Sequence, residues 1–418
     1  MAGATDVTPA TLTPADAARS IVAHGAPLAP ERRPLREVAD LVLALDVASP
    51  IDVPPYANSA MDGYAVRGPD VVGATRERRV TLRVTDTAPT APGTANRIFT
   101  GGPVPAGADS VVRQEDTERL PDGQIAVFDG RDAGQNVRAR GQDIRAGDVV
   151  LTAGTELGAA QLGVLAAIAH ATPLVHRPPR VAFLASGDEI VDLDQADEIL
   201  AGRKIANSNS IALNALIRGA GGIPVDLGLA RDTRESLREH LARAADADLL
   251  VTTGGVSVGE RDLVRAVLTE LGCEMKLWRV RMRPGAPLGF GMLSGRPWIG
   301  LPGNPVSTMV TFELFVRPLI RRLRGHALPF RRTVAVCAGA PITLGPPLRH
   351  FLRVVLTREG PGSLTARLTG PQGSGILTSM ARADALLIVP EDRPAVPAGA
   401  ALQALVLNDP VHVAEPPF

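Results

Sequence analysis

Between residues 181 and 323 the chain alternates short apolar runs with stretches of helical period, and this alternation leaves few ways to fold. Residues 181–185 read as a strand, followed by a helix at 211–218 with Asn209 or Ser210 as cap and Gly221–Gly222 as stop. Residues 225–229 are the next strand, 233–245 a helix, 249–253 a strand and 263–271 a helix. A last run at 297–300 leads through a loop to a helix over 306–323. A helix between two strands returns the chain to the same end of the sheet, so the strands run parallel and helices cover both faces. Ligands of such sheets bind beyond the carboxyl ends of the strands.

The flanks have a different character. Residues 15–23, 35–45 and 159–169 show helical spacing, whereas 53–148 hold short alternating runs (80–84, 109–113, 124–128) broken by Pro and Gly. The RPPR segment at 177–180 reads as a linker. Beyond residue 331 five short strands are expected, at 333–338, 351–357, 363–368, 385–389 and 402–406. The predicted fold class is α/β plus all-β modules: a discontinuous helical layer (1–52 and 149–178), a β-rich insertion (53–148), a parallel α/β domain (179–329) and a C-terminal β barrel (330–418).

The richest single motif is VTTGGVSVGERD at 251–262, a strand, a glycine-rich loop and a carboxylate at a helix start. Gly254, Gly255 and Gly259 remove side chains where a ligand could meet backbone N–H groups, with Ser257 among them. Asp262 lies where the helix dipole keeps a carboxylate ionised, and it could hold Mg²⁺ against an anion. The plainer reading is a tight strand-to-helix turn capped by Asp262. Neighbouring loops favour a site. Glu189 follows the first strand, Asp232 the second, and Pro302, Gly303, Asn304 and Pro305 the last, so all should reach one sheet edge. In 275–287, Arg279, Arg281 and Arg283 alternate with Trp278, Val280 and Met282, which puts three guanidiniums on one strand face. They suit phosphate oxygens, although a solvated strand face is an equal reading for Arg281.

Composition removes other functions. The 44 basic and 44 acidic residues cancel and aromatics are 3%, which disfavours nucleic acid and anionic membranes as partners. Cys273 and Cys337 lack CxxC spacing and the seven histidines are scattered, so neither a disulfide framework nor a zinc site is expected. Without a signal peptide or a membrane-length apolar run, the expected location is the cytoplasm. The strand at 181–185 is followed by SGDE rather than GxGxxG, which argues against a dinucleotide dehydrogenase.

Seven segments then occur in order: MDGYA (61–65), TGGPVPAGAD with VVRQE (100–115), GQNVRARGQDI (134–144), SGDEI (186–190), TTGGVSVGERD (252–262), LPGNPVS (301–307) and GSGILTSM (373–380). Together they make the chain resemble the molybdopterin molybdenumtransferases, the bacterial MoeA proteins and the corresponding domain of gephyrin. The resemblance implies an elongated four-domain homodimer that inserts molybdate into adenylylated molybdopterin with release of AMP and a requirement for Mg²⁺. It also implies contact with a molybdopterin adenylyltransferase, which supplies that substrate. Motif by motif it carries functional roles to Asp62, Thr100, Arg138 and Asp143 in the insertion, and to Glu189, Asp232, Asp262, Pro302 and Pro305 in the α/β domain. Asp62 and Asp143 would meet the nucleotide loops across subunits. The family has lysines at the positions of Arg279, Arg283 and Ala286. Only Lys204 and Lys276 are lysines here, so the two arginines follow a general avoidance of lysine, but Ala286 removes a charge. A non-catalytic pterin carrier, a variant handling tungstate and an adenylyltransferase are the competing readings; the β modules argue against the last.

Overall fold

A computed structural model of the chain describes residues 12–255, 263–345, 347–358 and 364–408. It divides into two compact units, one of Met1–Glu31, Asp40–Val42 and His176–Phe418, the other of Arg32–Ala39 and Leu43–Val175.

The first unit is built on a six-stranded sheet in the order Ile223–Ala230, Arg180–Ser186, Leu249–Thr253, Arg296–Leu301, Pro287–Leu293, Glu274–Arg279. The first four strands are parallel. The last two are antiparallel, so the sheet is mixed rather than all parallel. A hairpin needs no crossover helix, and Pro287–Leu293 joins Arg296–Leu301 directly. Side chains alternate as a two-sided sheet demands. Val181, Phe183, Val251 and Ile299 enter one core with Phe312, Phe315 and Leu319, while Ala182, Leu184, Leu250 and Trp298 enter the other with Leu237, Leu241 and Leu268. Each such large side chain withdrawn from water contributes roughly 1.5–3 kcal/mol. The helix Pro14–Ala23, capped by the Thr13 hydroxyl, buries Ala17 and Ile21 in the first of these cores.

Helix starts follow local chemistry. The Thr233 side chain accepts the Ser236 N–H, and Pro305 opens Pro305–Thr311, where its missing N–H costs nothing. The cap expected at Asn209 or Ser210 is instead Asn207, whose side chain accepts the Ser210 N–H and donates to Asp192 Oδ1 at 2.8 Å. The run expected over 306–323 is helical throughout but passes through a π turn at Phe312–Val316. The RPPR segment is pinned rather than loose: Arg177 makes a bidentate pair with Asp248 at 2.7 and 2.8 Å.

The C-terminal strands close into a five-stranded barrel: Arg349–Arg358, Leu364–Leu368, Thr333–Ala338, Ala401–Val406, Ala385–Val389 and back to Arg349–Arg358. Val336, Leu352, Val354, Leu387 and Ala404 fill it.

The second unit carries a six-stranded sheet in the order Ser110–Arg113, Gly63–Val66, Thr94–Ile98, Val80–Val84, Gln124–Val127, Thr117–Leu120, packed on Tyr64, Leu82, Val112 and Ile125. Helix Ala159–Ala167 forms as its spacing predicts. The helical spacing at 35–45 is not realised: a 3-10 turn at Leu35–Glu37 gives way to Asp40 at φ 62° and to short strands at Val42–Leu43 and Val47–Ala48. A left-handed residue stops a helix, and beyond it the Leu43 N–H donates to Thr155 O at 2.9 Å and the Ala44 N–H to Leu174 O at 3.0 Å, in place of helical bonds.

Candidate functional site

At the carboxyl edge of the parallel strands lies a cavity of about 770 Å³. Glu189, Gly254, Gly255, Arg279, Ala286, Pro302, Gly303, Asn304 and Pro305 all line it. Backbone bonds tie the loops together at this edge: Gly187 N–H donates to Ala230 O at 3.3 Å and Gly254 N–H to Leu301 O at 3.2 Å. Gly254, at φ 82°, has no room for a side chain, since a Cβ there would stand 2.9 Å from Ser186 O. Its N–H is therefore a brace between loops and is not offered to a ligand, contrary to the simplest expectation for a glycine loop. Pro302 O accepts the Thr308 hydroxyl at 2.6 Å, which fixes the Gly303–Asn304 turn from the helix behind it.

A second cavity of about 550 Å³ shares Ser186, Glu189, Gly254 and Gly255 and adds Asp232. The carboxylates crowd here. Asp232 N–H donates to Asp188 Oδ1 at 3.3 Å, and Glu189 folds back over Gly187, its Oε2 2.8 Å from where a Cβ would lie. Desolvation, with the charges of Asp188 and Glu189 added, pushes the Asp232 carboxyl above the usual carboxylate range. Among the described residues, no group of three His, Cys, Asp or Glu side chains is gathered as a metal-ligand set. Asp262, Ser257 and Gly259 lie outside the described residues.

Arg279, Arg281 and Arg283 are exposed while Val280 and Met282 are buried, as the alternation predicts. The arginines nevertheless part company. Arg279 lines the first cavity with Ala286; Arg281 lies close enough to Asp16 to lower its carboxyl, behind Thr13 and Arg19. Arg283 belongs to Met282–Arg283, which pairs with the barrel strand Arg349–Arg358, and its guanidinium neighbours Gly345. One strand pattern serves two sheets.

Sequence reasoning missed part of the lining. Asn207 and Ser208 border the cavity, and Asn209, expected only as a possible cap, donates to Gly303 O at 2.8 Å. From the barrel, Gly375 and Leu377 complete the wall, and Val306 N–H donates to Ser374 O at 3.0 Å. The GSGILTSM motif held the signal for this segment, but no local pattern gives it a ligand role.

In the second unit, three sequence-distant segments meet. Val137–Arg138 pairs with Asn58–Ser59, Ser59 N–H donates to Gly102 O and Gly101 N–H to Ser59 O. This sets Asp62 beside Thr100, whose N–H and hydroxyl both donate to Asp62 Oδ1 at 2.7 Å. The Thr100 N–H and hydroxyl hold the Asp62 carboxyl below its ordinary range. Arg138 and Asp143 are exposed, and Asp143 is anchored through its N–H to Val53 O at 3.0 Å.

This arrangement, a mixed α/β sheet with a glycine-lined cavity at its carboxyl edge joined to a five-stranded barrel, is that of a multidomain fold whose class the comparisons supply. Residues 12–169 match the MoeA N-terminal region (domain I and II), 182–322 a probable molybdopterin binding domain and 335–407 the MoeA C-terminal region (domain IV). Molybdopterin molybdenumtransferase 2 of Mycobacterium tuberculosis is 37% identical over 384 residues, 88% of this chain and 93% of that protein. The molybdopterin molybdenumtransferase of Nostoc sp. is 40% identical over 309 residues, 70% of each chain. The molybdopterin biosynthesis moeA protein from Pyrococcus horikoshii OT3 superposes with a TM-score of 0.79 at 25% identity, covering 95% of this chain and 100% of that one. This chain belongs to the molybdopterin molybdenumtransferase family.

Proposed function

We propose that this protein inserts molybdate into adenylylated molybdopterin and releases AMP, with Mg²⁺ required. The observation that carries the reading is the first cavity, where loop ends of the parallel strands, Arg279 and the barrel segment around Gly375 and Leu377 surround a single space. Both substrates are anionic. Arg279 offers charge-assisted donors to them, and Gly255 and Gly303, which carry no side chain, leave room in the lining for a flat pterin and a phosphate. Asn209 and Thr308 hold the Gly303–Asn304 turn in place.

The donor set suits Mg²⁺. Glu189 and Asp232 present hard carboxylate oxygens to one cavity, and the negative charge crowded around Asp232 is what a divalent cation relieves. Glu189 would hold the ion, with Asp262 as second ligand; when bound it would neutralise charge on the phosphates as they separate. Asp62, Thr100, Arg138 and Asp143 are proposed to act on the pterin and oxyanion, with Asp62 oriented by Thr100.

The proposal extends to a cytoplasmic homodimer that receives its substrate from a molybdopterin adenylyltransferase, and to modules bounded at 53–148, 179–329 and 330–418, with 1–52 and 149–178 as the discontinuous fourth. Among the described residues, no helix is long and apolar enough to cross a membrane. The deciding experiment supplies adenylylated molybdopterin, molybdate and Mg²⁺ to the purified chain and measures AMP. Stoichiometric, Mg²⁺-dependent AMP release is expected. Tight pterin binding with no AMP release under molybdate or tungstate would replace the enzyme reading with that of a carrier.

A further inference from the structure

In the second unit, the strand Thr94–Ile98 runs out onto a side chain that the core does not take. Phe183, Phe290, Phe312 and Phe315 are fully buried, whereas Phe99 is 62% exposed. A single exposed aromatic is ordinary by itself. The grip on this one is not. The guanidinium carbon of Arg97, two residues earlier, lies 4.9 Å from the centre of the Phe99 ring. It also lies 5.0 Å from the ring centre of Tyr64, a core residue and the cross-strand partner of Arg97. Arg97 Nη1 donates to Gly63 O at 3.1 Å and Nη2 to Gln114 Oε1 at 2.8 Å, which fixes the guanidinium. The Gln114 N–H in turn donates to Asp62 O at 3.0 Å. The Arg97 charge also reaches the Asp62 carboxyl and lowers it, behind the two bonds from Thr100. Next along the chain, Gly101 at φ 81° leaves open space, since a Cβ there would meet nothing within 4 Å. One exposed ring is thus held from the protein side by a fixed cation, next to Thr100 and the carboxylate that Thr100 orients.

We propose that Phe99 is the platform on which the pterin ring of the substrate stacks, with Arg97 as the positioning residue that holds the platform beside Asp62. The inference rests on the molybdopterin reading of the substrate and adds to it the side chain that meets the ring. Planar heteroaromatic rings stack on exposed aromatic side chains, and a ring already pinned by a cation loses little freedom when they do. Asp62 decides between the two planar groups of adenylylated molybdopterin. Thr100 engages Oδ1 and leaves Oδ2 to accept from a ligand. The pterin edge carries an amino group and a ring N–H side by side, two donors for one ionised carboxylate, which can only accept. Adenine flanks its amino group with ring nitrogens that themselves accept, and these a carboxylate repels.

The test is direct binding of metal-free molybdopterin to the full chain, with AMP as the second ligand and AMP release followed separately. Phe99→Ala should weaken molybdopterin binding by about tenfold or more, as truncating a stacking partner does, and leave AMP affinity unchanged. Phe99→Tyr should stay within about twofold of wild type, while Phe99→Leu, apolar but without a π face, should resemble Phe99→Ala. Melting temperatures should hold, because the position is exposed. Arg97→Gln should weaken molybdopterin several-fold, and Arg97→Lys, which keeps the charge between the two rings, should restore most of the loss. A loss that Arg97→Lys does not restore would reduce Arg97 to packing. Phe99→Leu binding as tightly as wild type, or Phe99→Ala sparing molybdopterin and weakening AMP, would overturn the platform. So would a change in sedimentation of Phe99→Ala that tracks its binding loss, since Phe99 would then be a contact between copies of the chain. The two readings fail separately. Binding through Phe99 without AMP release keeps the platform and removes the reaction, whereas AMP release with unchanged binding in Phe99→Ala removes the platform alone.

Discussion

At Asp62 the fold supplies donors, whereas at Asp232 it supplies more acid. Thr100 gives its N–H and its hydroxyl to one Asp62 oxygen, so that carboxylate is held ionised by its own turn. Asp232 instead shares its cavity with Glu189, has Asp188 beside it, and its carboxyl is pushed up. The contrast separates two uses of a carboxylate. One is oriented and already satisfied, suited to touching a substrate group through its free oxygen. The other, Asp232, lies among like charges that raise its carboxyl, which is the setting the proposed cation would relieve. A motif scan sees an acid beside glycine in both places, and only the neighbours distinguish them.

Glu189→Gln should break the crowded cluster with the largest effect. AMP release should fall at least ~100-fold, because the proposed site loses a carboxylate that would hold Mg²⁺ against the phosphates. The melting temperature should hold, since Glu189 is exposed. Turnover that survives this change would reduce Glu189 to a turn residue. The matching change in the other region, Asp62→Asn, should cost about 10–100-fold in AMP release, again with unchanged melting. If melting drops instead and activity per folded molecule is kept, the Thr100 bonds are turn chemistry alone and the contrast between the regions collapses.

The arginine strand gives a finer comparison. Arg279→Gln should raise the molybdate concentration for half-maximal AMP release by about tenfold, the worth of one charged hydrogen bond. Arg283→Gln should leave it nearly unchanged, because Arg283 lies on the barrel-paired segment. Ala286→Lys should lower it several-fold by restoring a cation to the lining. Equal effects of Arg279 and Arg283 would mean that the strand acts as one charged face after all.

The smallest expected effect concerns acid stability. His326 is held neutral in the fold, with its imidazole pushed down from 6.5 to about 3 by burial and then by Arg321, Arg324 and Arg317. Between those values the unfolded chain binds a proton that the folded chain refuses, so stability should fall as pH drops through that window. His326→Gln should flatten this limb of a urea-denaturation series by up to about 1.4 kcal/mol per pH unit. An unchanged slope would mean that carboxylates alone set the acid limb.

Much of this was legible in the chain. The short apolar runs became strands at or near their expected positions because a sheet buried on both faces needs apolar residues in succession, and Phe183, Val251 and Trp298 each entered a core. Glu189, Asp232 and Pro302 reached one edge because parallel strands place every carboxyl end on the same side. Asp62 and Thr100 were named separately from their motifs, yet nothing local could show that one bonds the other. The helical period at 35–45 misled, since a short apolar pattern there also fits extended backbone once Thr155 O and Leu174 O accept the Leu43 and Ala44 N–H groups.

The order of strands and helices, the edge at which ligands must bind and the glycines that keep that edge open follow from the sequence alone, because period, turn chemistry and crossover geometry act over a few residues at a time. Which arginine meets the cavity did not. Arg279 and Arg283 carry the same pattern, and only the passage of the chain from the α/β sheet to the barrel sends one to the cavity lining and the other toward Gly345. Nor did the closing of the cavity by Gly375 and Leu377. Those are contacts between elements far apart in the chain, and their geometry is set by how whole domains pack rather than by any run of residues.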